Sequence, residues 1–176
     1  MKNLFAGKEL LQNPPPINQI LKGLVGGTIG ILILLFITKF SPTPWIMAPF
    51  GATCVILFAV SASPLAQPRN VIIGHLISAF IGIFFIQYLP VNDFTIALSV
   101  GLAIALMQVC RAVHPPAGAN PLVILLTANT VQYGWNFLFT PVLAGAVCLV
   151  LTAFIINNIF DKNKWPNYWF ALMNTK

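Results

Sequence analysis

"CRAVHPPAGANPL" occupies residues 110–122 of a 176-residue chain whose other long stretches are almost unbroken hydrocarbon. A membrane helix would run smoothly through such a place. Here Arg111, His114, the consecutive Pro115 and Pro116, and the small residues Gly118 and Ala119 interrupt it. Proline's fixed φ suits a first helical turn, where its missing N–H removes no intrahelical bond. The stretch therefore reads as the end of one span at Cys110, an unwound link, and the first turn of a shorter helix.

The surroundings make a bilayer the natural solvent. Hydrophobic residues are 58% of the chain and charged residues 7%, with a mean hydropathy of +0.87. A soluble domain of this size carries far more charge on its surface. Four stretches, 20–38, 70–89, 94–112 and 138–158, are long enough to cross about 30 Å of hydrocarbon as helices. Two others, 45–60 and 115–128, are shorter, and each begins at a proline-rich break.

The short pair is a repeat. Aligning "PFGATCVILF" (49–58) with "PAGANPLVIL" (116–125) sets Pro49 on Pro116, Gly51 on Gly118 and Ala52 on Ala119, followed by polar Thr53 and Asn120 and an apolar run. Each short segment lies between two long ones, so the order is long, short, long, twice. The predicted fold is all-α and polytopic. It comprises a cytoplasmic segment 1–19, a membrane domain 20–160 built of repeats 20–89 and 94–158, and an interfacial tail 161–176.

If the short segments cross, the chain is a 3+3 inverted repeat with six spans; if they are re-entrant, it has four. Six spans put Arg69 and Arg111 inside with the termini and leave Lys39 and Asp93 outside, whereas four move both arginines out. Basic residues near span ends favour the cytoplasm, so six is preferred, unless the arginines serve a substrate. The N-terminus, with Lys2, Lys8 and Lys22, lacks a signal peptide's apolar stretch and is expected to stay cytoplasmic.

Charge and cysteine usage exclude other classes. The net charge is +6, but the basic residues are scattered over several loops rather than clustered as a nucleic-acid footprint. Cys54, Cys110 and Cys148 show no paired spacing and read as small core residues. Two histidines without a thiolate or carboxylate cluster make a poor metal site. No nucleophile, base and orienting acid occur together, so neither catalysis nor a cofactor is expected.

The breaks themselves carry the chemistry. A half-helix starting near Gly51 or Gly118 presents unpaired N–H groups and the positive end of its dipole, which attract anions. Gly51, Ala52, Gly118 and Ala119 permit close approach to the backbone. Arg111 and His114 precede the second half-helix, and Arg69 and His75 flank the start of the span after the first. Thr53, Asn70 and Asn120 are the polar neighbours. Ionisable groups at membrane depth line polar paths.

Each of these has a plainer alternative. The arginines can snorkel to lipid phosphates, His75 can be a hydrogen-bonded packing residue, and His114 can cap a turn. Asp93, in "LPVNDF", reads as a loop residue. Lys162 and Lys164 beside Trp165, Tyr168 and Trp169 read as a headgroup anchor.

"RAVHPPAGANPL" resembles the signature of the HPP family of integral membrane proteins, named for a histidine-proline-proline motif, here His114, Pro115 and Pro116. "PFGATCVILF" followed by "SPLAQPRNVIIGHLISAFIG" (63–82), which contains Pro64, Pro68, Arg69 and Asn70, resembles the family's other well-populated part. The resemblance covers residues 20–160. It implies a transporter, described in the family as four-span, with plant and cyanobacterial members linked to nitrite. Some members carry an additional soluble regulatory domain, for which the short tail is expected to leave no room.

The physical reading reaches a small inorganic anion, and nitrite comes from the resemblance alone. The expectation is a small-anion transporter or channel of a bacterial inner membrane, homo-oligomeric in the lipid bilayer, with both termini cytoplasmic. The alternative is a non-transporting scaffold or lipid-binding protein.

Overall fold

The computed structural model describes residues 13–41 and 44–170; Lys2, Lys8 and the tail from residue 171 lie outside the described residues. Regular structure among the described residues is helical: α1 (Ile17–Thr38), α2 (Ala48–Ala59), α3 (Pro68–Tyr88), α4 (Asp93–Val109), α5 (Asn120–Leu126) and α6 (Ala144–Phe160). Short 3₁₀ turns at Pro64–Ala66 and Pro115–Ala119 precede α3 and α5, and Trp135–Leu138 with a π turn at Phe139–Leu143 leads into α6. Ile17–Thr38, Pro68–Tyr88 and Trp135–Phe160 are long and apolar enough to cross a membrane. The 17 residues of α4 give about 26 Å.

The two short segments differ in their winding for a reason visible in the sequence. α2 is one 12-residue α-helix with Pro49 in its first turn. In the second segment Pro121 has no N–H to give the Ala117 carbonyl four residues back. That carbonyl accepts instead from Asn120 N, and Ala117 N donates to the His114 carbonyl at 3.0 Å, so the first turn tightens to 3₁₀.

Both short segments run from one end of the bundle towards the other. Trp45 N donates to Thr38 Oγ1 (2.9 Å) at the end of α1, while Ser61 accepts from Lys22 Nζ (3.0 Å) near its start. About 24 Å of α1 separates these points, so α2 with its flanks returns the full distance. The second segment begins where α3 begins, with His114 Nδ1 2.9 Å from the Leu65 carbonyl, and continues alongside α3 in the same direction. His114 lies against Gly74, and Pro121 and Ile124 against Gly82. Over the described residues the chain thus passes between the two ends six times, which is the 3+3 inverted arrangement.

Packing follows the repeat. α1 contacts α2 and α6 while α4 contacts α5 and α3; α3 contacts α5 while α6 contacts α2. Exchanging the repeats maps every one of these pairs onto another. Leu34, Phe50, Leu57, Phe58, Val71, Ile83, Ile124 and Leu149 fill the core between them. Large apolar residues such as Leu24, Phe36, Phe94 and Val109 face outward on the long helices, as a lipid solvent allows.

Two details differ from the sequence-based expectation. Asp93 is the first residue of α4, behind a capping box in which Asn92 and Thr95 bond reciprocally, so its carboxylate stands at a helix N-terminus. Trp165 is only 3% exposed and donates to the Ser61 carbonyl at 3.1 Å. Its ring covers the end of the bundle rather than lying among headgroups, because Asn158 holds its backbone through both the amide oxygen and nitrogen.

Candidate functional site

The half-helices meet at a buried cluster of uncharged polar side chains. Thr53, in the second turn of α2, is 0% exposed, as are His75 on α3, His114 at the head of the second segment, and Asn120 at the start of α5. Thr53 Oγ1 lies 2.8 Å from His75 Nε2 and 3.0 Å from His114 Nε2, and 3.2 Å from the Pro49 carbonyl. The imidazole centroids are 5.1 Å apart, so the hydroxyl bridges two rings that do not bond each other directly.

Partners on the far side of each ring fix the tautomers. The Leu65 carbonyl only accepts, so His114 Nδ1 carries a proton. Asn120 Nδ2, 3.1 Å away, cannot accept and shares its two hydrogens among His75 Nδ1, the His75 carbonyl and Ser78 Oγ, so His75 Nδ1 carries no proton and Nε2 does. The Asn120 amide is oriented by the His75 carbonyl (3.1 Å) and Ser78 Oγ (2.8 Å). With both imidazoles neutral, the bonds run in one direction, from His75 Nε2–H to Thr53 Oγ1 and from the Thr53 hydroxyl to His114 Nε2, with the more distant Pro49 carbonyl as a competing acceptor for that hydroxyl.

Phe50 meets the His75 ring edge-on at 5.1 Å and closes the cluster toward the core. Asn70 Nδ2 donates to the Val113 carbonyl (2.9 Å), and Tyr168 donates to Asn70 Oδ1 (2.9 Å), steadying the link before His114. Burial raises the Tyr168 phenol above its ordinary range, against a lowering by Arg69. Among the described residues, no group of three or more His, Cys, Asp or Glu side chains is arranged to hold a metal ion.

The other sequence-predicted residues fall around this centre. Ala52 and Ala119 line one cleft of about 440 Å³ with Val55, Ile56, Pro115 and Pro116, and its walls are mainly apolar. Gly51 is exposed and Gly118 half-buried, and open space surrounds both. Pro49, Pro68 and Pro116 are buried at helix starts, while Pro64 and Pro115 are exposed.

The arginines stand apart from that cleft. Half-buried Arg69 donates to the Phe170 carbonyl (2.6 Å) and the Cys110 carbonyl (2.9 Å), tying the tail to the end of α4. Exposed Arg111 follows α4 with φ 52°, the left-handed region that favours glycine. Ala112 N bonds to Met107 O and Arg111 N to Gln108 O, a Schellman stop with arginine where glycine is usual. The two guanidinium groups therefore belong to the end of the bundle where the described termini lie.

Sequence reasoning missed three participants. Ser78 lies one turn beyond His75 on the same face of α3, a spacing that could have revealed it. The Leu65 carbonyl has no sequence signal. Nor did the ion pair of Lys22, which is 1% exposed and contacts Asp161 Oδ2 at 2.8 Å, with Ser61 and Gln19 also bonded to that carboxylate. Burial raises the Asp161 pKa, but hydrogen bonds from Lys22, Gln19 and Ser61 outweigh it and leave the carboxyl below its usual value.

The family model for the HPP transmembrane region matches residues 12–166. Two transmembrane proteins of Dictyostelium discoideum are similar to the chain. One is 36% identical, over 96% of this chain and 62% of its own length; the other is 37% identical, over 80% of this chain and 48% of its own length. The chain thus spans less than two thirds of either relative. No solved structure matches it.

Proposed function

The chain belongs to the HPP transmembrane family, and from that premise we propose that it is a small-anion transporter or channel, with nitrite as the first substrate to test. The observation that carries this reading is the Thr53, His75, His114 and Asn120 cluster, buried where two interrupted helices meet in a membrane bundle. Broken helices and polar side chains at such a crossing are the usual makings of a solute site. The hydroxyl, imidazole and amide donors are bonded to one another and to backbone at rest, so a monovalent anion would bind by displacing those bonds, without a permanent charge fixed at depth.

Arg69 and Arg111 act at the mouth, raising the local anion concentration, rather than inside the site. The basic residues Lys22, Arg69, Arg111, Lys162 and Lys164 share the end where the described termini lie, which favours a cytoplasmic placement of both termini in a bacterial inner membrane. The assembly is proposed to be a homo-oligomer without cofactor, and no catalytic role is assigned.

Uptake of labelled nitrite into proteoliposomes tests this reading. The expected result is flux well above protein-free vesicles, competed by nitrate or formate. Absence of flux for all three anions sinks it.

One observation favours a second reading, a non-transporting scaffold. The arginines grip or flank the chain at the headgroup end, and the cleft between the half-helices is apolar. That reading predicts that Arg111→Ala weakens binding to anionic lipid vesicles while no variant changes any flux.

A further inference from the structure

We propose that His75, Thr53 and His114 form a proton relay leading from the middle of α3 to the Leu65 carbonyl near the terminal end of the bundle. The inference rests on the transport reading for its role, which is coupling anion movement to a proton. Its physical basis is the directed chain of bonds, Nε2–H of His75 to Thr53 Oγ1 (2.8 Å) and the Thr53 hydroxyl to Nε2 of His114 (3.0 Å). A mere packing contact between two histidines does not need opposite tautomers joined through a hydroxyl.

The step balances in protons. A proton taken from water at the far end reaches buried His75 Nδ1 when the Asn120 amide moves aside, and the Nε2–H bond breaks as its proton passes to Thr53 Oγ1, while the Thr53 hydroxyl proton passes to His114 Nε2. His75 is left neutral with its proton on Nδ1, and His114 becomes an imidazolium. His114 is fully buried, so the imidazolium gives its Nδ1 proton to water at the terminal end only when its bond to the Leu65 carbonyl opens.

Asn120 supplies the second observation. Its Oδ1 is buried and has no hydrogen-bond partner, while its Nδ2 faces the unprotonated Nδ1 of His75. The His75 carbonyl, 3.1 Å from Nδ2, holds the amide with its donor forward, so Asn120 keeps His75 Nδ1 unprotonated at rest. Asn120 is thus a positioning residue for the relay.

The charges around the relay lie at its borders. Arg69 is on α3 near the terminal end, Arg111 on the link from α4, and Tyr168 reaches Asn70 from the tail. Cys54 is the adjacent titratable group on α2, while Asp93 begins α4 and Asp161 is held by Lys22.

Pyranine-loaded proteoliposomes under an imposed pH gradient, potential clamped with potassium and valinomycin, test the relay with and without external nitrite. Wild type is expected to admit protons faster than protein-free vesicles, and Thr53→Val to reduce that excess about tenfold or more, with Thr53→Ser restoring it. Equal proton entry in wild type and Thr53→Val, with nitrite and without, overturns the relay. Labelled nitrite uptake that persists in that case leaves the transport reading intact, whereas relay flux without nitrite uptake removes the anion reading instead. Nitrogen NMR of histidine-labelled wild type needs no variant: one Nδ1–H and one Nε2–H imidazole are expected, and two rings in the same tautomer contradict the relay.

Discussion

Two polar centres join the repeats, and they are built of opposite materials. At the terminal end Lys22 of repeat one meets Asp161 beyond α6, with Ser61 and Gln19 completing an ionic clamp. Where the half-helices cross, Thr53, His75 and Ser78 of repeat one meet His114 and Asn120 of repeat two with no formal charge among them. Full charges are tolerable beside water and headgroups, whereas at depth they carry a large desolvation penalty. The clamp is therefore assigned to stability and the neutral centre to the proposed function.

Breaking the clamp has the largest expected effect on stability. Asp161→Ala leaves the Lys22 ammonium buried without its counter-ion, which costs about 3 kcal/mol. Thermal unfolding in detergent should show the drop, and labelled nitrite uptake by the protein that stays folded should be unchanged. The clamp also sets an acid response. Asp161 has a folded pKa below its unfolded value, so its contribution is complete above about pH 4. It is lost as pH falls through the folded pKa, and a melting series below pH 4 should decline less steeply in Asp161→Ala.

Thr53→Val should reverse the pattern. The swap keeps the shape of the side chain but strands the buried imidazole nitrogens, for a loss of about 1–3 kcal/mol. Uptake should fall to the level of protein-free vesicles, although melting shows most of the protein folded.

Smaller effects probe the scaffold on which the neutral centre sits. At Gly82 a new Cβ would meet Ile124 Cδ1 at 2.8 Å and Pro121 Cα at 3.2 Å. Gly82→Ala is expected to lower stability by about 1–2 kcal/mol through overpacking and to displace α5 with Asn120. Arg111→Gly is the mildest change. Glycine accepts the left-handed φ at the end of α4, so melting should rise by the equivalent of about 1 kcal/mol. Any loss of uptake in that variant isolates the work of the guanidinium at the mouth.

The repeat made much of this architecture legible. Pro, Gly and Ala in register at 49–52 and 116–119 located both half-helices, and lengths together with positive charge favoured six passages. The same alignment pairs Thr53 with Asn120, and both side chains reach His75. Repetition did not reveal where symmetry stops. Carrying the same offset onward sets His75 against Val142 and Ser78 against Gly145, which leaves room for Phe50, so the histidines gather on one side of the repeat.

The arginines show why the rest was hidden. Composition marks a charge near a broken helix but not the depth at which its side chain ends. Arg69 turns to the Phe170 and Cys110 carbonyls, a choice made by tail packing that no local pattern encodes. The Lys22–Asp161 pair has the same origin, since its partners are joined only by the return of α6 to the end where α1 starts.

The proposed function depends on the neutral centre. Labelled nitrite uptake by proteoliposomes containing equal amounts of folded wild type or Thr53→Val tests it most directly. The prediction is clear uptake by wild type and none above protein-free vesicles for the variant. Equal uptake by the two would contradict it.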